Sequence, residues 1–424
     1  MMTEPAVLRS ITSHLRRPSC APAAVATGRH VAPLDTTDDG LEEVGGKGRS
    51  LARMANAGLR VPGGFICRTS AYRSFVATNN LQGRIVELAA PEISEGVQSF
   101  EAASLRIQEV FAAAAVPESV AAEIKEAYAA LGGSLPLAVR SSANAEDLPG
   151  LSFAGQHSSF LNVKGADEVV AATKACWASL WSAQALAYRH QNGVDHGAVA
   201  MAVVAQQMIP SDVSGILFTA NPATGERSEV IINSSFGLGE AVVSGTVTPD
   251  TFVVDRGTGD VETSIGPKES RIVSDGEQGV RHEETDEGSR SEPSLDDAQV
   301  AELVRSAEAI EKLFAGPQDI EWGINDGVLH LLQSRPITNL PPPPLPQPVD
   351  WTPPFPAKQM IRRQIVENMP DPLCPLFEEL YLIDGQQEGL RRAAVRRAAK
   401  SGQPDSWLPW THQMDGPHYM TVNG

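Results

Sequence analysis

The spacing of apolar residues along the chain predicts helices and strands in mixed order. Apolar residues recur at helical spacing between Gly48 and Gly58, so the segment Gly45-Gly46-Lys47-Gly48 is predicted to be a glycine loop that leads into a short helix. Further helices are predicted within residues 94–131 (two helices), over 166–190 and over Leu295–Phe314. Val61–Ile66 is predicted to be a turn that leads into a strand. Short apolar runs predict further strands over Leu135–Val139, Val199–Ala205, Ser214–Thr219, Glu229–Ile232 and Thr251–Asp255.

The last part of this pattern predicts a β-hairpin. Asp319–Trp322 and Val328–Gln333 alternate between apolar and polar residues, and Asn325-Asp326-Gly327 between them is a strong turn signal. The acidic residues 276–292 are predicted to be a solvated loop. These elements together indicate an α+β fold.

A proline run divides the chain. Residues 341–350 are predicted to be a semi-rigid Pro-rich linker. Residues 1–32 are predicted to be a flexible basic leader, and 351–424 the start of a truncated helical domain. Residues 33–340 then form the main domain, with an N-terminal part over 33–200 and a C-terminal part over 201–340.

Composition narrows the functions that the chain can have. With a formal net charge of −18, the molecule should repel nucleic acid and anionic membranes, so a nucleotide would need a local basic site and a metal ion. The 4 cysteines form no C-x-x-C pair, which argues against zinc and disulfides and suits a reducing, cytoplasmic location. No apolar stretch is long enough to span a membrane.

Two basic residues stand beside small residues that suit phosphate binding. Glycines next to Lys47 let backbone N–H groups approach an anion, and lysine adds a mobile charge. Arg140 ends a strand and is followed by serines and a glycine loop, a setting for bidentate phosphate binding. Taken singly, each has a plainer explanation: an exposed turn for Lys47, and a surface ion pair with Glu146 or Asp147 for Arg140.

The predicted hairpin supplies oxygen ligands. Asp319 and Glu321 lie two residues apart on a strand and so share a face, and the partner strand brings Gln333 close. Carboxylate and amide oxygens suit Mg²⁺ carried by nucleotide phosphates, and Arg335 is within reach of the same phosphates. Solvated acids on an edge hairpin are the alternative.

In order and spacing, these segments resemble the N-terminal ATP-binding domain of the phosphoenolpyruvate synthase and pyruvate, phosphate dikinase family, which has an ATP-grasp fold. The resemblance covers about residues 33 to 340. The matching segments are Val44–Leu51, Val61–Phe65, Val139–Ala143, Glu146-Asp147, Ser152–Gln156, Ser214–Thr219, Asn221-Pro222, Gly237–Glu240, Asp319–Glu321 and Gln333–Pro336.

The resemblance implies two or three subdomains with the nucleotide cleft between them, and ATP and Mg²⁺ as ligands. It implies that Lys47 and Arg140 contact the ATP phosphates as the catalytic residues, and that Gln206 meets the adenine. Gly237-Leu238-Gly239-Glu240 is expected to be a tight turn that closes the cleft. The other implied ligand residues are Gly155 and Ser159 in the phosphate-covering loop, and Glu321 and Gln333 at the metal with Arg335 beside them.

Family members transfer the β- and γ-phosphates of ATP to a histidine in a separate domain and release AMP. The Gly-Gly-x-Thr-Ser-His stretch that carries this histidine is absent from the sequence, so the partner histidine domain is expected in cis or in trans. The layout of the tail resembles that of rifampicin phosphotransferases, which favours a rifamycin-type acceptor. A pyruvate-directed phosphoenolpyruvate synthase and a non-catalytic nucleotide-binding module are the alternatives.

Overall fold

The computed structural model describes residues 28–35, 39–94, 97–143, 159–276, 279–338 and 340–341. The strands, numbered in chain order, are β1 (Val31–Pro33), β2 (Gly64–Cys67), β3 (Glu92–Ser94), β4 (Val97–Ser99), β5 (Leu137–Ala143), β6 (Ser159–Val163), β7 (Met201–Gln207), β8 (Val213–Phe218), β9 (Glu229–Phe236), β10 (Asp250–Asp255), β11 (Val261–Ser264), β12 (Ser270–Ser274), β13 (Val280–Glu284), β14 (Gln318–Asn325) and β15 (Val328–Pro336). The helices are α1 (Leu41–Asn56), α2 (Thr69–Thr78), α3 (Gln82–Leu88), α4 (Glu101–Ala113), α5 (Glu118–Ala130), α6 (Ala166–Ser179), α7 (Ala183–Gln191), α8 (Glu240–Val243), α9 (Glu287–Arg290) and α10 (Asp297–Phe314).

The first sheet has the strand order β1-β2-β7-β5-β6, with antiparallel neighbours throughout. Its larger core is aromatic: the ring of Phe75 in α2 lies 5.4 Å from that of Phe111 in α4 and 5.3 Å from that of Trp177 in α6. In β7, Val203 belongs to this core and Val204 to a second core. Burial on both faces explains why the apolar run of this strand is unbroken.

The second sheet has the order β11-β10-β9-β8-β14-β15 and is also antiparallel. Leu303 and Ile310 of α10 are buried with Ile320 and Trp322 of β14 in the second core. Helix α10 follows a capping box, in which the Asp296 side chain accepts a hydrogen bond from the Gln299 N–H and the Gln299 side chain accepts one from the Asp296 N–H. The fold is therefore mixed, with helices packed against two antiparallel sheets.

Helix α1 contacts both sheets. Its residues Leu51 and Met54 are buried in the second core with Ile66 of the first sheet and Trp322 of the second. In addition, Ser50 Oγ donates a hydrogen bond to the carbonyl of Ser334 in β15, at 2.6 Å. The position of α1 therefore depends on both sheets, so residues at its N-terminal half are held near the place where the sheets meet.

Several predicted elements are confirmed. Helices α4 and α5 are the pair predicted within 94–131, and α10 and the β14–β15 hairpin lie where the pattern placed them. The hairpin turns through Asp326 and Gly327, whose φ angles are 48° and 70°. Positive φ at two successive residues is typical of a tight hairpin turn, which explains the Asn-Asp-Gly signal.

Other predictions were wrong in detail. The single helix predicted over 166–190 is two helices, because Ser182 begins a new one by accepting a hydrogen bond from the Ala185 N–H. The acidic segment predicted to be a loop contains β13, paired with β12, and the short helix α9. The basic leader was predicted to run to residue 32, but Val31 and Ala32 are buried in β1.

The sequence placed the boundary between the N-terminal and C-terminal parts after residue 200, whereas β7, which follows it, still belongs to the first sheet. The linker from 342 on and the tail lie outside the described residues. Within the described residues, no helix is long and apolar enough to cross a lipid bilayer.

Candidate functional site

The segment Gly45-Gly46-Lys47-Gly48 is a kink inside α1 and not a loop that precedes the helix. Gly45 has φ 68° and ψ 176°, whereas helical geometry continues on both sides of it. A Cβ at this position would overlap the carbonyl and hydroxyl oxygens of Ser142 in β5. Only glycine satisfies both the positive φ and the close approach, so the kink is specified by this residue.

Lys47 lies just after the kink and reaches back to the first sheet. Its Nζ donates a hydrogen bond to the carbonyl of Ser141 at 3.1 Å, and the residue is half-buried. The neighbouring Ser142 Oγ donates to the carbonyl of Val44 at 2.8 Å and accepts from the N–H of Gly48 at 3.0 Å. The ammonium group is therefore held against β5, at the residue that follows Arg140.

Arg140 connects the two sheets. Its side chain, which is 14% exposed, donates from Nη1 to the carbonyl of Leu332 at 3.3 Å and lies 3.7 Å from Glu321 Oε2. Its described partners therefore lie on the second sheet and not on a surface loop. The acids Glu146 and Asp147, which the sequence offered as alternative partners, lie outside the described residues.

A β-bulge explains why the carbonyl of Leu332 can receive Arg140. Glu321 is opposite Gln333 and Trp322 is opposite Leu331, so Leu332 has no partner residue across the hairpin. A bulged residue is left out of the ladder and locally bends its strand. The backbone of β15 thereby offers an acceptor to the first sheet.

One face of the hairpin carries the predicted acids and their partners. Glu321 lies directly opposite Gln333, and Asp319 lies opposite Arg335. Arg335 donates from Nε and Nη2 to Asp319 Oδ2, at 2.8 Å and 2.7 Å. Burial raises the pKa of the Asp319 carboxyl above its ordinary value, and the charge of Arg335 opposes this rise. The four side chains are thus two cross-strand pairs on one face.

Gln206 lies on the same face of the first sheet as Arg140. Arg140 is opposite Val204, and Gln206 is opposite Ala138, so Arg140 and Gln206 are diagonal neighbours, roughly 7–8 Å apart. Gln206 is 1% exposed, and its Nε2 has no hydrogen-bond partner among the described residues. A buried amide nitrogen without a partner is costly, which marks it as a group that a ligand would satisfy.

The two remaining predicted residues were expected in a phosphate-covering loop, but Ser159 lies in a strand. Ser159 is the first residue of β6, is exposed, and lies directly opposite Arg140. Gly155 lies outside the described residues. The turn predicted at 237–240 is present: Gly237 has φ 80°, its carbonyl accepts from Ser214 Oγ at 2.5 Å, and α8 follows.

Two contacts at the site were not foreseen. Ser142 belongs to the Val139–Ala143 motif, but nothing in the sequence assigns its hydroxyl to the kink. The carbonyl of Leu332 is available to Arg140 because of a bulge that leaves no sequence signal.

The structure also limits metal binding: no group of three or more His, Cys, Asp or Glu residues suited to a metal occurs among the described residues. A metal here would depend on Glu321, Gln333 and oxygens of a ligand.

Comparison with known proteins agrees with the resemblance drawn from the motifs. The family model described as "Pyruvate phosphate dikinase, AMP/ATP-binding domain" matches residues 41–344. A probable phosphoenolpyruvate synthase of Methanothermobacter thermautotrophicus is 40% identical over 308 residues, which cover 71% of this chain and 45% of that protein. A rifampicin phosphotransferase of a Streptomyces species is 42% identical over 317 residues, which cover 74% of this chain and 36% of that protein.

The matched part of this chain therefore spans less than half the length of these two relatives. A solved D-alanine–D-alanine ligase of Bacillus anthracis aligns over 60% of this chain and 63% of its own, at 11% identity and a TM-score of 0.22, which is too low to inform the fold. The family match extends over most of the chain and contains every residue of the candidate site. The chain belongs to the family of pyruvate phosphate dikinase AMP/ATP-binding domains.

Proposed function

We propose that this chain binds Mg·ATP between its two sheets in the manner of an ATP-grasp domain, and that it is the nucleotide-binding part of a dikinase-type phosphotransferase. The observation that carries the proposal is the contact of Arg140 with Glu321 and the Leu332 carbonyl. It brings a cation from one sheet and a carboxylate from the other into a single cleft. Mg·ATP requires both kinds of group, a cation for phosphate and oxygens for the metal.

Each predicted residue has a place in this proposal. Lys47, Arg140 and Arg335 would hold the phosphates, and Gly155 and Ser159 would cover them. The donors suit phosphate oxygens, because guanidinium groups bind them in pairs and lysine binds them as a point charge. Gln206 would meet the adenine, since its buried Nε2 lacks a partner among the described residues.

Mg²⁺ would be held by Glu321 and Gln333, which face each other across the hairpin, and it would neutralise part of the phosphate charge. The task of the chain's own residues is then positioning and electrostatic stabilisation, which is most of what phosphoryl transfer requires from a protein. We infer that ATP is cleaved to AMP and that its β- and γ-phosphates pass together to a histidine, in cis or in trans. One of the two phosphates then passes to a small-molecule acceptor, and the other is released to water as inorganic phosphate. A rifamycin-type hydroxyl and pyruvate are the two candidates, since relatives of both kinds align at similar identity.

Isothermal titration with ATP, with and without Mg²⁺, tests the binding step. We expect metal-dependent binding, and we expect Glu321→Gln to weaken the binding seen with Mg²⁺ while leaving the weaker, metal-free binding nearly unchanged. Failure of the wild-type chain to bind Mg·ATP would refute the proposal. Equal losses with and without Mg²⁺ in the variant would remove Glu321 from the metal site.

Isotope exchange tests the reaction class. A dikinase exchanges label between AMP and ATP through its phosphohistidine, so exchange should follow when a histidine domain of the family is supplied to the chain. Addition of a rifamycin or of pyruvate would then identify the acceptor by its phosphorylated product. Binding of Mg·ATP with no exchange under these conditions would favour a non-catalytic nucleotide-binding module.

A further inference from the structure

The hydroxyl of Ser142 stands between two backbone groups of α1. Ser142 Oγ donates to the carbonyl of Val44 at 2.8 Å and accepts from the N–H of Gly48 at 3.0 Å. In a regular α-helix the N–H of residue 48 would donate directly to the carbonyl of residue 44. A side chain inserted into this ladder is a known cause of helix kinks, and the non-helical angles of Gly45 lie within the same turn.

The inserted hydroxyl is enclosed by protein. Ser142 is 0% exposed, and both of its hydrogen bonds are buried. A Cβ at Gly45 would overlap Ser142, so glycine is needed where the hydroxyl enters the helix. The serine and the glycine therefore fit each other, and the kink has no other described source.

The kink determines where Lys47 lies. Lys47 is inside the turn that the hydroxyl interrupts, and its Nζ is hydrogen-bonded to the carbonyl of Ser141, the residue before Ser142. Without the hydroxyl, the Val44 carbonyl and the Gly48 N–H each lose a partner, and the regular helical bond between them would restore one to both. Glycine permits this change, because Gly45 can adopt helical angles as readily as its present ones. The straightened turn would rotate Lys47 relative to β5.

We propose that Ser142 is a positioning residue for nucleotide binding, which acts by holding α1 in the kinked form that places Lys47 against β5. The inference rests on the proposed function, because it assumes that Lys47 contacts a phosphate of ATP. Ser142 itself is buried beneath the kink and touches α1, so its effect on the nucleotide passes through Lys47.

A double-mutant cycle on the full chain tests this role. The dissociation constant for Mg·ATP is measured by isothermal titration for the wild type, Ser142→Ala, Lys47→Ala and the double variant. We expect Lys47→Ala to weaken binding by about 10- to 100-fold, as for the loss of one hydrogen bond to a charged group, and Ser142→Ala to weaken it by about tenfold. In the Lys47→Ala background, Ser142→Ala should change the constant less than about twofold, because the residue through which it acts is gone.

Two further variants separate positioning from general destabilisation. Ser306 is also a buried serine, 1% exposed, with its hydroxyl bonded to the Glu302 carbonyl in α10, so Ser306→Ala should lower the melting temperature without changing the affinity. Ser142→Cys keeps the shape but makes only weak hydrogen bonds, so its affinity should lie between those of the wild type and Ser142→Ala. This variant also provides a test if Ser142→Ala does not fold.

Three results would overturn the inference: wild-type affinity in Ser142→Ala, wild-type affinity in Ser142→Cys, or the same loss from Ser142→Ala whether or not Lys47 is present. If the wild type binds Mg·ATP and one of these results appears, the positioning role fails while the proposed function stands. If the wild type does not bind Mg·ATP, the proposed function itself fails.

Discussion

Replacement of Arg140 by alanine should separate nucleotide binding from folding. The side chain is 14% exposed and has two described partners, the Leu332 carbonyl at 3.3 Å and Glu321 Oε2 at 3.7 Å. Both partners lie on the second sheet, whereas Arg140 lies in β5 of the first. The substitution therefore removes a link between the sheets together with the proposed phosphate contact.

The cost to stability should be small. One hydrogen bond to a carbonyl contributes about 0.5–1.5 kcal/mol. The ion pair with Glu321 is long and its carboxylate is 24% exposed, so it contributes at most about 1 kcal/mol. We therefore expect Arg140→Ala to lower the free energy of unfolding by about 1–2 kcal/mol.

The cost to binding should be larger. A guanidinium group that binds phosphate through two charge-assisted hydrogen bonds loses about 1.5–3 kcal/mol for each bond removed. The affinity for Mg·ATP should then fall by about 100-fold or more, since each 1.4 kcal/mol is a factor of ten. Arg140→Lys should give an intermediate loss, because lysine keeps the charge but not the planar pair of donors.

Isothermal titration and urea unfolding of the same samples measure the two effects. Arg53 is a matched control, because its Nη2 also donates to a distant carbonyl, that of Leu313 at 2.9 Å, and its guanidinium stacks on Phe314. Arg53→Ala should lower stability and leave the affinity unchanged. The reasoning is refuted if Arg140→Ala binds Mg·ATP within about threefold of wild type, which corresponds to less than 1 kcal/mol.

Three other substitutions give clear expectations. Gln206→Met replaces a buried amide whose Nε2 lacks a described partner. Urea unfolding of this variant should show equal or higher stability, while titration shows weaker Mg·ATP binding. A loss of stability with unchanged affinity would contradict the role given to Gln206. Lys268 and Asp250 form a fully buried ion pair at 2.5 Å. In urea unfolding, Lys268→Met should therefore lower the free energy of unfolding by about 3–5 kcal/mol, and adding Asp250→Asn to that variant should recover part of the loss. Burial, together with the charge of Arg60, lowers the pKa of His330 to about 4. The unfolded chain therefore takes up a proton near pH 6.5 that the folded chain does not, so the melting temperature should fall as the pH is lowered from about 6.5 to 4, and fall less in His330→Gln.

The elements whose formation depends on local sequence alone could be predicted from the sequence. Helix α10 has an amphipathic pattern and its own capping box, and the β14–β15 turn needs positive φ where Asp326 and Gly327 stand. The acidic segment was mispredicted because its strand depends on pairing with another segment. Strand β13 forms by pairing with β12, for example Glu283 with Arg271, whose guanidinium bonds to that carboxylate. Charge alone gave no sign of this pairing.

The candidate site was predictable as a set of residues but not as an arrangement. The family motifs pointed to Lys47, Arg140 and the hairpin acids because those residue types have the chemistry of phosphate and metal binding. How they are held depends on contacts between distant segments. The Ser142 hydroxyl bonds to residues 94 and 98 positions away in α1, and Arg140 reaches a carbonyl 192 positions away that is available only because of a bulge.

The partners of the basic residues explain how an acidic protein can bind an acidic ligand. Lys47 is held by the Ser141 carbonyl, Arg140 by the Leu332 carbonyl and Glu321, and Arg335 by Asp319. Among the described residues of the candidate site, these three cations and two carboxylates leave one net positive charge, in a chain whose formal charge is −18. One positive charge is too little for a triphosphate, which is why the proposed function includes a metal ion. In the proposed function, Glu321 would have Arg140 as its partner in the free protein, and it would need another cation when a phosphate binds Arg140. A magnesium ion held by Glu321 and Gln333 would supply that charge.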